Sequence, residues 1–297
     1  MIFLTLENGG LGVVCGEQVV DVAEASRTMG GERLPATLLE LVEHCQGLLE
    51  RVHGLAVEAA ARGVAVRPLS EVEPQAPIPE PRRNIICVGK NYREHVNEVK
   101  ATALGGSGLP EAPIFFTKAT TAVLAPGRPI PAHRELTARL DHEAEVAIIL
   151  GRGGRNIAPE SAWEHVFGYT AINDVSARDL QAGHRQWFRG KSLDGTAPMG
   201  PVMVHRSAMP PLDELQVTCR VNGEERQRGN LAQLIFDVPT LIATLSAGMT
   251  LLPGDIIATG TPSGVGAGFD PPRFLAPGDL VEVEVTGVGV LANPVGD

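Results

Sequence analysis

The sequence of 297 residues has 43% hydrophobic and 20% charged side chains, with a formal net charge of −10 at pH 7. This length and composition are typical of a globular protein with one large domain, or one large domain and a small one. The negative charge disfavours nucleic acids and anionic membrane surfaces as partners, because both repel an acidic protein. It places no limit on a small anionic substrate, whose binding depends on the local field.

The cysteines are scattered through apolar segments, with no CxxC pair and no His cluster at zinc spacing. This pattern predicts buried free thiols and a reducing compartment. The N-terminal segment lacks a basic start followed by a long apolar run, which argues against a signal peptide. No apolar run approaches the roughly 20 residues that cross a bilayer. We therefore expect a cytoplasmic protein. The four cysteines are Cys15, Cys45, Cys87 and Cys219.

The N-terminal quarter of the chain has a pattern of its own. Residues 1–25 predict two or three short strands in a hairpin-like arrangement. Apolar residues then recur at helical spacing and predict one or two amphipathic helices over about 36–62. The proline-rich segment 74–83 suits neither a helix nor a central strand, so it is the best candidate for a linker. We predict a small N-terminal domain over 1–76 and a larger domain over 82–297.

After the linker, short apolar or alternating runs bounded by Gly, Pro and Asp predict many strands. They include NIICVG, APIFFT, EVAIIL, LQVTCRVNG, DIIATG and LVEVEVTG. Asn222 and Gly223 predict a hairpin turn, and residues 238–249 have helical spacing. This pattern predicts an α+β, β-rich fold, a sandwich or roll with a few peripheral helices.

Three acidic residues lie in two of these apolar segments, Glu143 and Glu145 in LDHEAEVAIILG and Asp174 in YTAINDVSARD. In a β-strand, the spacing of the two glutamates places both carboxylates on one face. Two carboxylates so close in a half-buried strand repel each other unless a cation lies between them. With Asp174 they form an all-oxygen set suited to Mg²⁺ or Mn²⁺. The alternative is structural: Glu143 faces solvent, Glu145 pairs with an arginine and Asp174 caps a helix.

Two further segments carry side chains suited to catalysis. GKNYREHVNEVK turns helical near Tyr92, so His95 and Glu98 lie on one helical face within hydrogen-bond range. A carboxylate that orients an imidazole is a general-base arrangement; the alternative is a solvated pair on an exposed helix. Lys191 lies between an aromatic pair and a Gly/Pro-rich stretch, where a lysine can stabilise an oxyanion or bind a carboxylate. The alternative for Lys191 is an ordinary surface lysine.

The segment ATGTPSGVGAG, residues 258–268, has closely spaced glycines whose backbone N–H groups can form an anion-binding nest. It has no following Lys-Ser/Thr, so it is not a P-loop. Arg178 and Gln181 come shortly after Asp174. If this stretch is helical, Arg178 lies four residues after Asp174, and a structural salt bridge between them is the alternative to a functional role.

Several motifs, taken in chain order, resemble those of the fumarylacetoacetate hydrolase family, in particular its bacterial acylpyruvase-like and fumarylpyruvate hydrolase-like members. They cover residues from about 82 to 295, and together they are far more specific than any one of them. The motifs are VGKNYREHVNE, IFFTKATTAV, LDHEAEVAIILG, GYTAINDVSARD, QWFRGKSLDG, LLPGDIIATGTPSGVG and PGDLVEVEVTGVG. The resemblance implies a mixed β-sandwich roll, a small N-terminal α/β domain and a homodimer.

The resemblance also implies a role for each side chain that matches a family position. It implies ligands for Mg²⁺ or Mn²⁺, a catalytic His–Glu pair on a lid that orders over the substrate, a catalytic lysine, and side chains that hold the substrate. The implied metal ligands are Glu143, Glu145 and Asp174; the catalytic residues are His95, Glu98 and Lys191; the substrate-binding residues are Arg178, Gln181 and Thr261.

The chain also departs from the family pattern. His184 and Arg185 are more basic than the residues that relatives often have there, and LDG replaces the usual Phe-Asp-Thr after the lysine-serine. The Gly-rich stretch 101–113 suggests an extension of the lid, and Lys118, in the FxK position, has no assigned role. These departures leave the metal and His–Glu positions intact and leave the identity of the substrate open.

The function implied by the resemblance is metal-dependent hydrolysis of a carbon–carbon bond. The substrate would be a small anionic 2,4-diketo acid of the acylpyruvate or fumarylpyruvate type, as found in aromatic-ring degradation, and the products pyruvate and a carboxylic acid. The alternative is an oxaloacetate-type decarboxylase or a 2-hydroxyhepta-2,4-diene-1,7-dioate isomerase or decarboxylase, which needs the metal but no activated water. A non-catalytic binding protein is a third possibility, and the presence of every expected site residue argues against it.

Overall fold

The computed structural model describes residues 1–31, 33–99 and 108–297. The β-strands in these ranges are β1 (Ile2–Thr5), β2 (Leu11–Cys15), β3 (Gln18–Asp21), β4 (Val66–Pro68), β5 (Ile85–Gly89), β6 (Ile114–Lys118), β7 (Val123–Leu124), β8 (Leu140–Asp141), β9 (Ala144–Leu150), β10 (Val166–Asn173), β11 (Ser176–Ala177), β12 (Ala197–His205), β13 (Gln216–Val221), β14 (Glu224–Asn230), β15 (Ile256–Ala258), β16 (Leu280–Val285) and β17 (Gly289–Pro294). The α-helices are α1 (Val22–Thr28), α2 (Leu38–Glu43), α3 (Cys45–Arg62), α4 (Arg93–Val99), α5 (Ala162–His165), α6 (Arg178–Gly183), α7 (Phe188–Lys191) and α8 (Val238–Ser246).

The larger sheet runs in the order β4-β3-β2-β1-β12-β10-β9-β15-β5-β6, with β7 beside β12. It is mixed, because β15 is parallel to β5 and antiparallel to β9. A smaller sheet of four strands, in the order β14-β13-β16-β17, is antiparallel throughout, and β8 and β11 form a separate antiparallel pair. The predicted β-rich, mixed sandwich roll is therefore confirmed.

Alternation along β9 divides the interior into two hydrophobic cores. Val146 and Ile148 face a core that includes Val217 and Val283 of the smaller sheet. Their neighbours point to the opposite face, where the core includes apolar side chains of α1, α2 and α3. Because β9 is covered on both sides, all seven of its residues are buried. This central position explains why the strand reads as a nearly continuous apolar run.

The predicted helices and hairpin turn are also present. Residues 36–62 contain α2 and α3, and α3 ends at Gly63, whose φ of 66° is the left-handed conformation typical of a helix C-terminus. Asn222 and Gly223 join β13 to β14 with φ values of 53° and 79°, as a two-residue hairpin turn requires. Asp237 caps α8 by accepting a hydrogen bond from the backbone N–H of Thr240.

The N-terminal strands belong to the same sheet as those of the rest of the chain. β1 pairs antiparallel with β12, with Ile2 opposite Val204. The sheet therefore continues without a break from the N-terminal region into the larger part of the chain. The division into domains at 1–76 and 82–297 remains a prediction.

All four cysteines are free thiols, as predicted. Cys87 and Cys219 are buried, but Cys15 and Cys45 are only half-buried, so the expectation that every thiol is buried is wrong for those two. Within residues 1–31, 33–99 and 108–297, no helix combines the length and apolar character needed to cross a bilayer.

Gly264 illustrates how closely the loop after β15 fits the rest of the fold. Its φ is +105°, and a Cβ built there would lie 1.7 Å from the backbone oxygen of Arg226. We expect Gly264→Ala to lower the free energy of unfolding by about 3 kcal/mol or more, because strain and overlap with the backbone add together. Gly54→Ala is the control, since Gly54 lies inside α3 with open space around it. Urea denaturation should show that variant as unchanged or stabilised by about 1 kcal/mol.

Candidate active site

Antiparallel pairing of β9 and β10 brings the predicted metal ligands together. Glu143 immediately precedes β9, Glu145 is its second residue, and Asp174 immediately follows β10. The backbone N–H of Asp174 donates to the backbone oxygen of Glu143 over 2.8 Å. This hydrogen bond joins the start of β9 to the end of β10. The three side chains are buried, and one carboxylate oxygen from each lies within 4.8 Å of the others. These residues therefore form one compact cluster of oxygen donors.

Cationic side chains surround two of the three carboxylates. The Nζ atom of Lys191 lies 2.6 Å from Oε2 of Glu143 and 2.7 Å from Oδ2 of Asp174. Nη1 of Arg178 lies 2.6 Å from Oε1 of Glu143, and Nζ of Lys118 lies 2.8 Å from Oδ1 of Asp174. The structural alternatives for these residues are therefore wrong: Glu143 does not face solvent, Lys191 is buried, and Arg178 pairs with Glu143 rather than with Asp174.

Glu145 has a different environment from its two neighbours. Its Oε2 accepts a hydrogen bond of 2.8 Å from the backbone N–H of Gly260. Burial, together with the negative charges of Asp174 and Glu143, raises the pKa of Glu145 well above its ordinary value. For Glu143, burial acts in the same direction, but the charges of Lys191 and Arg178 outweigh it and hold its pKa well below the ordinary value.

This arrangement suits a divalent cation. Three buried carboxylates offer oxygen ligands, which Mg²⁺ and Mn²⁺ prefer. An added positive charge would favour the ionised form of Glu145, which burial and its acidic neighbours otherwise oppose. Glu143, Glu145 and Asp174 are therefore the residues that would hold the ion.

The raised pKa of Glu145 leads to a test in protein freed of divalent ions. The folded state binds this proton more tightly than the unfolded state does. The free energy of unfolding should therefore fall as the pH rises above about 4.5, the ordinary value, towards the raised value in the folded state. We expect Glu145→Gln to flatten this part of the curve, because glutamine does not titrate. Urea denaturation at a series of pH values in EDTA measures both proteins, and identical pH dependence would contradict the assignment.

The His–Glu pair lies on α4 as predicted; His95 is buried and Glu98 is half-buried, so the pair is not on an exposed helical face. Nδ1 of His95 lies 3.1 Å from Oε2 of Glu98, and His95 lines the same cavity as Glu143 and Glu145. The other carboxylate oxygen of Glu98 accepts a hydrogen bond of 2.8 Å from the backbone N–H of Gly264. Because Glu98 accepts a hydrogen bond from Nδ1–H of the neutral imidazole, Nε2 is left as the basic atom.

Arg178 is held rigidly at the wall of this cavity. Its Nε donates to Oδ2 of Asp141 over 2.8 Å, and its Nη1 donates to Glu143 and to Oε1 of Gln181. Its Nη2 is buried and has no hydrogen-bond partner among the described residues. A buried guanidinium with an unused donor is suited to an anionic ligand. Arg178 and Gln181 both line the cavity, and their role in binding a substrate remains a prediction.

Thr261 also lines the cavity, but its hydroxyl is engaged in the fold. It donates to the backbone oxygen of Ala144 over 3.0 Å and accepts from Nε2 of Gln227 over 2.7 Å. These contacts attach the loop after β15 to the first residue of β9. The structure therefore places Thr261 at the cavity wall, and its role towards a substrate remains a prediction.

The glycine-rich segment 258–268 binds carboxylates of this chain. Its backbone N–H groups donate to three acidic side chains: Gly260 to Glu145, Gly264 to Glu98, and Gly266 and Ala267 to Asp141. Carboxylates of the same chain therefore occupy these N–H groups of the predicted anion-binding nest. Asp141 did not enter the sequence-based list of site residues, although it lies two positions before Glu143 and so could share its strand face.

The remaining positions singled out in the sequence differ in their burial and in their distance from the cavity. Lys118 is buried and donates to the backbone oxygen of Val175 over 2.9 Å, beside its contact with Asp174. His184 and Arg185 are exposed and are not among the described residues that line the cavity. The stretch 101–113, proposed as a lid extension, lies outside the described residues as far as position 107.

Comparison with known proteins places this site in a family. The sequence profile of the fumarylacetoacetate (FAA) hydrolase C-terminal domain matches residues 84–296. The chain belongs to the fumarylacetoacetate hydrolase family. All the residues discussed above for the site lie within the matched region.

Three relatives illustrate the range of this family. Oxaloacetate tautomerase YisK of Bacillus subtilis (strain 168) is 45% identical over 289 residues, covering 96% of this chain and 95% of YisK. The structure of fumarylacetoacetate hydrolase from Exiguobacterium antarcticum is 41% identical, with a TM-score of 0.82 and coverage of 100% and 99% of the two chains. Maleylpyruvate hydrolase from Sphingobium sp. SYK-6, in complex with manganese(II) and pyruvate, is 33% identical, with a TM-score of 0.76 and the same coverage.

The family is enzymatic, and its members include hydrolases, isomerases and tautomerases. The predicted family is therefore confirmed. A divalent metal ion is supported both by the carboxylate cluster and by the manganese in the Sphingobium relative.

Proposed function

We propose that this protein is a divalent-metal-dependent enzyme that interconverts the keto and enol forms of a small dicarboxylic 2-oxo acid of the oxaloacetate type. The observation that carries the proposal is the content of one cavity. Its lining includes His95, which is paired with Glu98, and two of the three clustered carboxylates. The lining also includes the guanidinium of Arg178, whose Nη2 has no hydrogen-bond partner among the described residues. The full-length similarity to an oxaloacetate tautomerase supports this choice of substrate.

Glu143, Glu145 and Asp174 would hold the ion, either Mg²⁺ or Mn²⁺. When bound, such an ion acts as a Lewis acid and makes the C3–H bond of a 2-oxo acid more acidic. Lys191 provides further positive charge beside two of these carboxylates. Its predicted role, to stabilise negative charge that develops on a substrate oxygen, is part of the proposal.

The proton transfer is assigned to His95. With its proton on Nδ1 held by Glu98, the imidazole uses Nε2 to remove a proton from C3. The electron pair of the broken C–H bond forms the C2–C3 double bond, and the carbonyl electrons move to the C2 oxygen. Return of the proton from Nε2 to that oxygen gives the enol. The reverse sequence gives the keto form, so the histidine is regenerated in either direction.

Arg178 would bind a carboxylate of the substrate. Asp141 and Glu143 fix two of its nitrogen atoms, and the third, Nη2, remains available. A guanidinium that is already oriented loses little conformational entropy on binding a carboxylate. Gln181 contributes by accepting from Nη1, and Thr261 is proposed to help shape the cavity near the substrate.

Hydrolysis of a 2,4-diketo acid is the second candidate, and the same base supports it. In that reaction His95 would remove a proton from water, and the hydroxide would attack the C4 carbonyl. The similarity to a maleylpyruvate hydrolase favours this alternative. Decarboxylation of an oxaloacetate-type acid needs no activated water and is distinguished by its products. The homodimer and the cytoplasmic location remain proposals carried over from the sequence.

Product analysis separates these reactions. The protein, loaded with Mn²⁺ or Mg²⁺, is mixed with oxaloacetate, and the ultraviolet absorbance of the enol is followed. Faster keto–enol exchange without release of CO₂ supports the tautomerase. Pyruvate and CO₂ from oxaloacetate indicate a decarboxylase, whereas pyruvate and an acid from acylpyruvate or fumarylpyruvate indicate the hydrolase. If neither class of substrate reacts faster than in buffer with the metal alone, the proposed function is wrong.

A further inference from the structure

Asp141 is a buried carboxylate to which the proposed reaction gives no chemical role. Its side chain lies between Arg178 and the loop that follows β15. Oδ2 accepts from Nε of Arg178 over 2.8 Å and from the backbone N–H of Ala267 over 3.0 Å. Oδ1 accepts from the backbone N–H groups of Gly266 over 2.6 Å and of His142 over 2.9 Å. One fully buried side chain therefore joins a cavity side chain to a loop.

The same loop holds the carboxylate of the His–Glu pair. Gly264 donates its backbone N–H to Glu98 over 2.8 Å, and a Cβ built on Gly268 would lie 2.3 Å from the carboxylate carbon of Glu98. The loop is thus fitted closely against Glu98 on one side and fastened to Asp141 on the other. A small displacement of the loop would change the orientation of Glu98 and, through it, of His95.

Asp141 also determines the orientation of the Arg178 guanidinium. Asp141 and Glu143 bind two of the three guanidinium nitrogens, and Nη2 has no partner within the described part of the chain. Loss of the charge on Asp141 would weaken the charge-assisted bond at Nε and permit the guanidinium to rotate about the remaining contact with Glu143. The donor that faces a substrate would then no longer be fixed in one position.

We propose that Asp141 is a positioning residue that couples the substrate-binding side of the cavity to its general-base side. Its carboxylate holds Arg178 and the loop of residues 264–268 in fixed positions relative to each other. The orientation of Nη2 of Arg178 and the orientation of Glu98 therefore depend on the same side chain. The inference rests on the proposed function for the roles of Arg178 and Glu98. The contacts of Asp141 with the loop do not depend on that function.

The kinetic test compares Asp141→Asn with Asp179→Asn. Asp179 is a matched control, because it also accepts from a backbone N–H group, that of Ala138, but lies outside the cavity. We expect Asp141→Asn to raise the KM for oxaloacetate about 10-fold or more, the cost of a misplaced charged hydrogen bond. A smaller decrease in kcat should accompany it, and Asp179→Asn should change neither. The Kd for Mn²⁺ alone, measured by calorimetry, should stay within about 3-fold, since the three carboxylates are unchanged.

A double-mutant cycle separates positioning from a general structural defect. If Asp141 acts on KM through Arg178, then Asp141→Asn should raise KM by less than about 2-fold in a protein that already carries Arg178→Met. Equal fold-changes in both backgrounds would overturn the coupling. A loss of folded protein would lower the apparent kcat and leave KM unchanged, so it cannot produce the expected change in KM.

Hydrogen–deuterium exchange tests the attachment of the loop without any activity. Peptides that cover residues 262–270 should exchange faster in Asp141→Asn than in the wild type or in Asp179→Asn. If Asp141→Asn does not fold, Asp141→Glu keeps the charge and should show a smaller increase at the same peptides. Unchanged exchange would overturn the inference. If the wild type converts none of the substrates, the proposed function fails, and the exchange rates still decide whether Asp141 holds the loop.

Discussion

Replacement of His95 by asparagine should nearly abolish turnover of the 2-oxo acid substrate. We expect kcat/KM to fall by about 10²- to 10⁴-fold, the usual contribution of a positioned general base. Asparagine keeps a polar side chain on α4 next to Glu98 but has no basic nitrogen to accept a proton from C3. The measurement is the rate of enol–keto exchange of oxaloacetate at saturating Mn²⁺. The same variant should lose hydrolysis of a 2,4-diketo acid if that is the reaction.

The control for this variant is His184→Asn. His184 is exposed and lies outside the cavity, so its replacement should leave the rate within about 2-fold of the wild type. Calorimetric titration with Mn²⁺ should show that His95→Asn still binds the ion, because His95 is not one of the three clustered carboxylates. Turnover of His95→Asn at the wild-type rate would show that another group is the base.

Loss of the charge on Glu145 should prevent the protein from holding its metal ion. We expect Glu145→Gln to weaken Mn²⁺ binding by about 100-fold or more, because loss of even an outer partner of a metal ligand costs 10- to 100-fold. The variant should be inactive at metal concentrations that saturate the wild type. Calorimetry with Mn²⁺ measures the affinity, and the oxaloacetate assay measures the activity.

Chelation gives an independent result for the same site. EDTA should remove the activity of the wild type, and added Mg²⁺ or Mn²⁺ should restore it. Glu164→Gln is the matched variant, because Glu164 is an exposed glutamate on α5 that is absent from the cluster. It should bind Mn²⁺ like the wild type. Full activity in EDTA, or unchanged affinity in Glu145→Gln, would exclude the three-carboxylate metal site.

The local pattern of the sequence and the family resemblance together predicted the carboxylate cluster. Alternation places Glu143 and Glu145 on one face of a strand, and Asp174 follows the next long apolar run. Helical spacing likewise placed His95 and Glu98 together on α4, where the structure finds them 3.1 Å apart. Periodicity relates residues that are close in the chain, and so it covers both glutamates and the His–Glu pair. Asp174 was predicted as a ligand from the family resemblance, and the pairing of β9 with β10 brings it to the cluster.

The contact partners of these residues could not be predicted from periodicity. Arg178 pairs with Asp141 and Glu143, which lie 37 and 35 positions earlier, rather than with Asp174, four positions away. The glycine-rich segment binds Glu98 across 166 positions. No periodicity connects residues so far apart, because the contact depends on how β15 is inserted between β9 and β5 in the sheet.

By itself the sequence determined the β-rich class, the principal turns and helices, the family, and most of the acidic and basic side chains of the site, with Asp141 as the exception. Only the tertiary structure decided that Lys191 lies between two carboxylates, that Glu145 has a strongly raised pKa, and that the loop amides are occupied by side chains of the same protein. The physical reason is that backbone periodicity is a local property, whereas burial and charge pairing depend on which strands become neighbours.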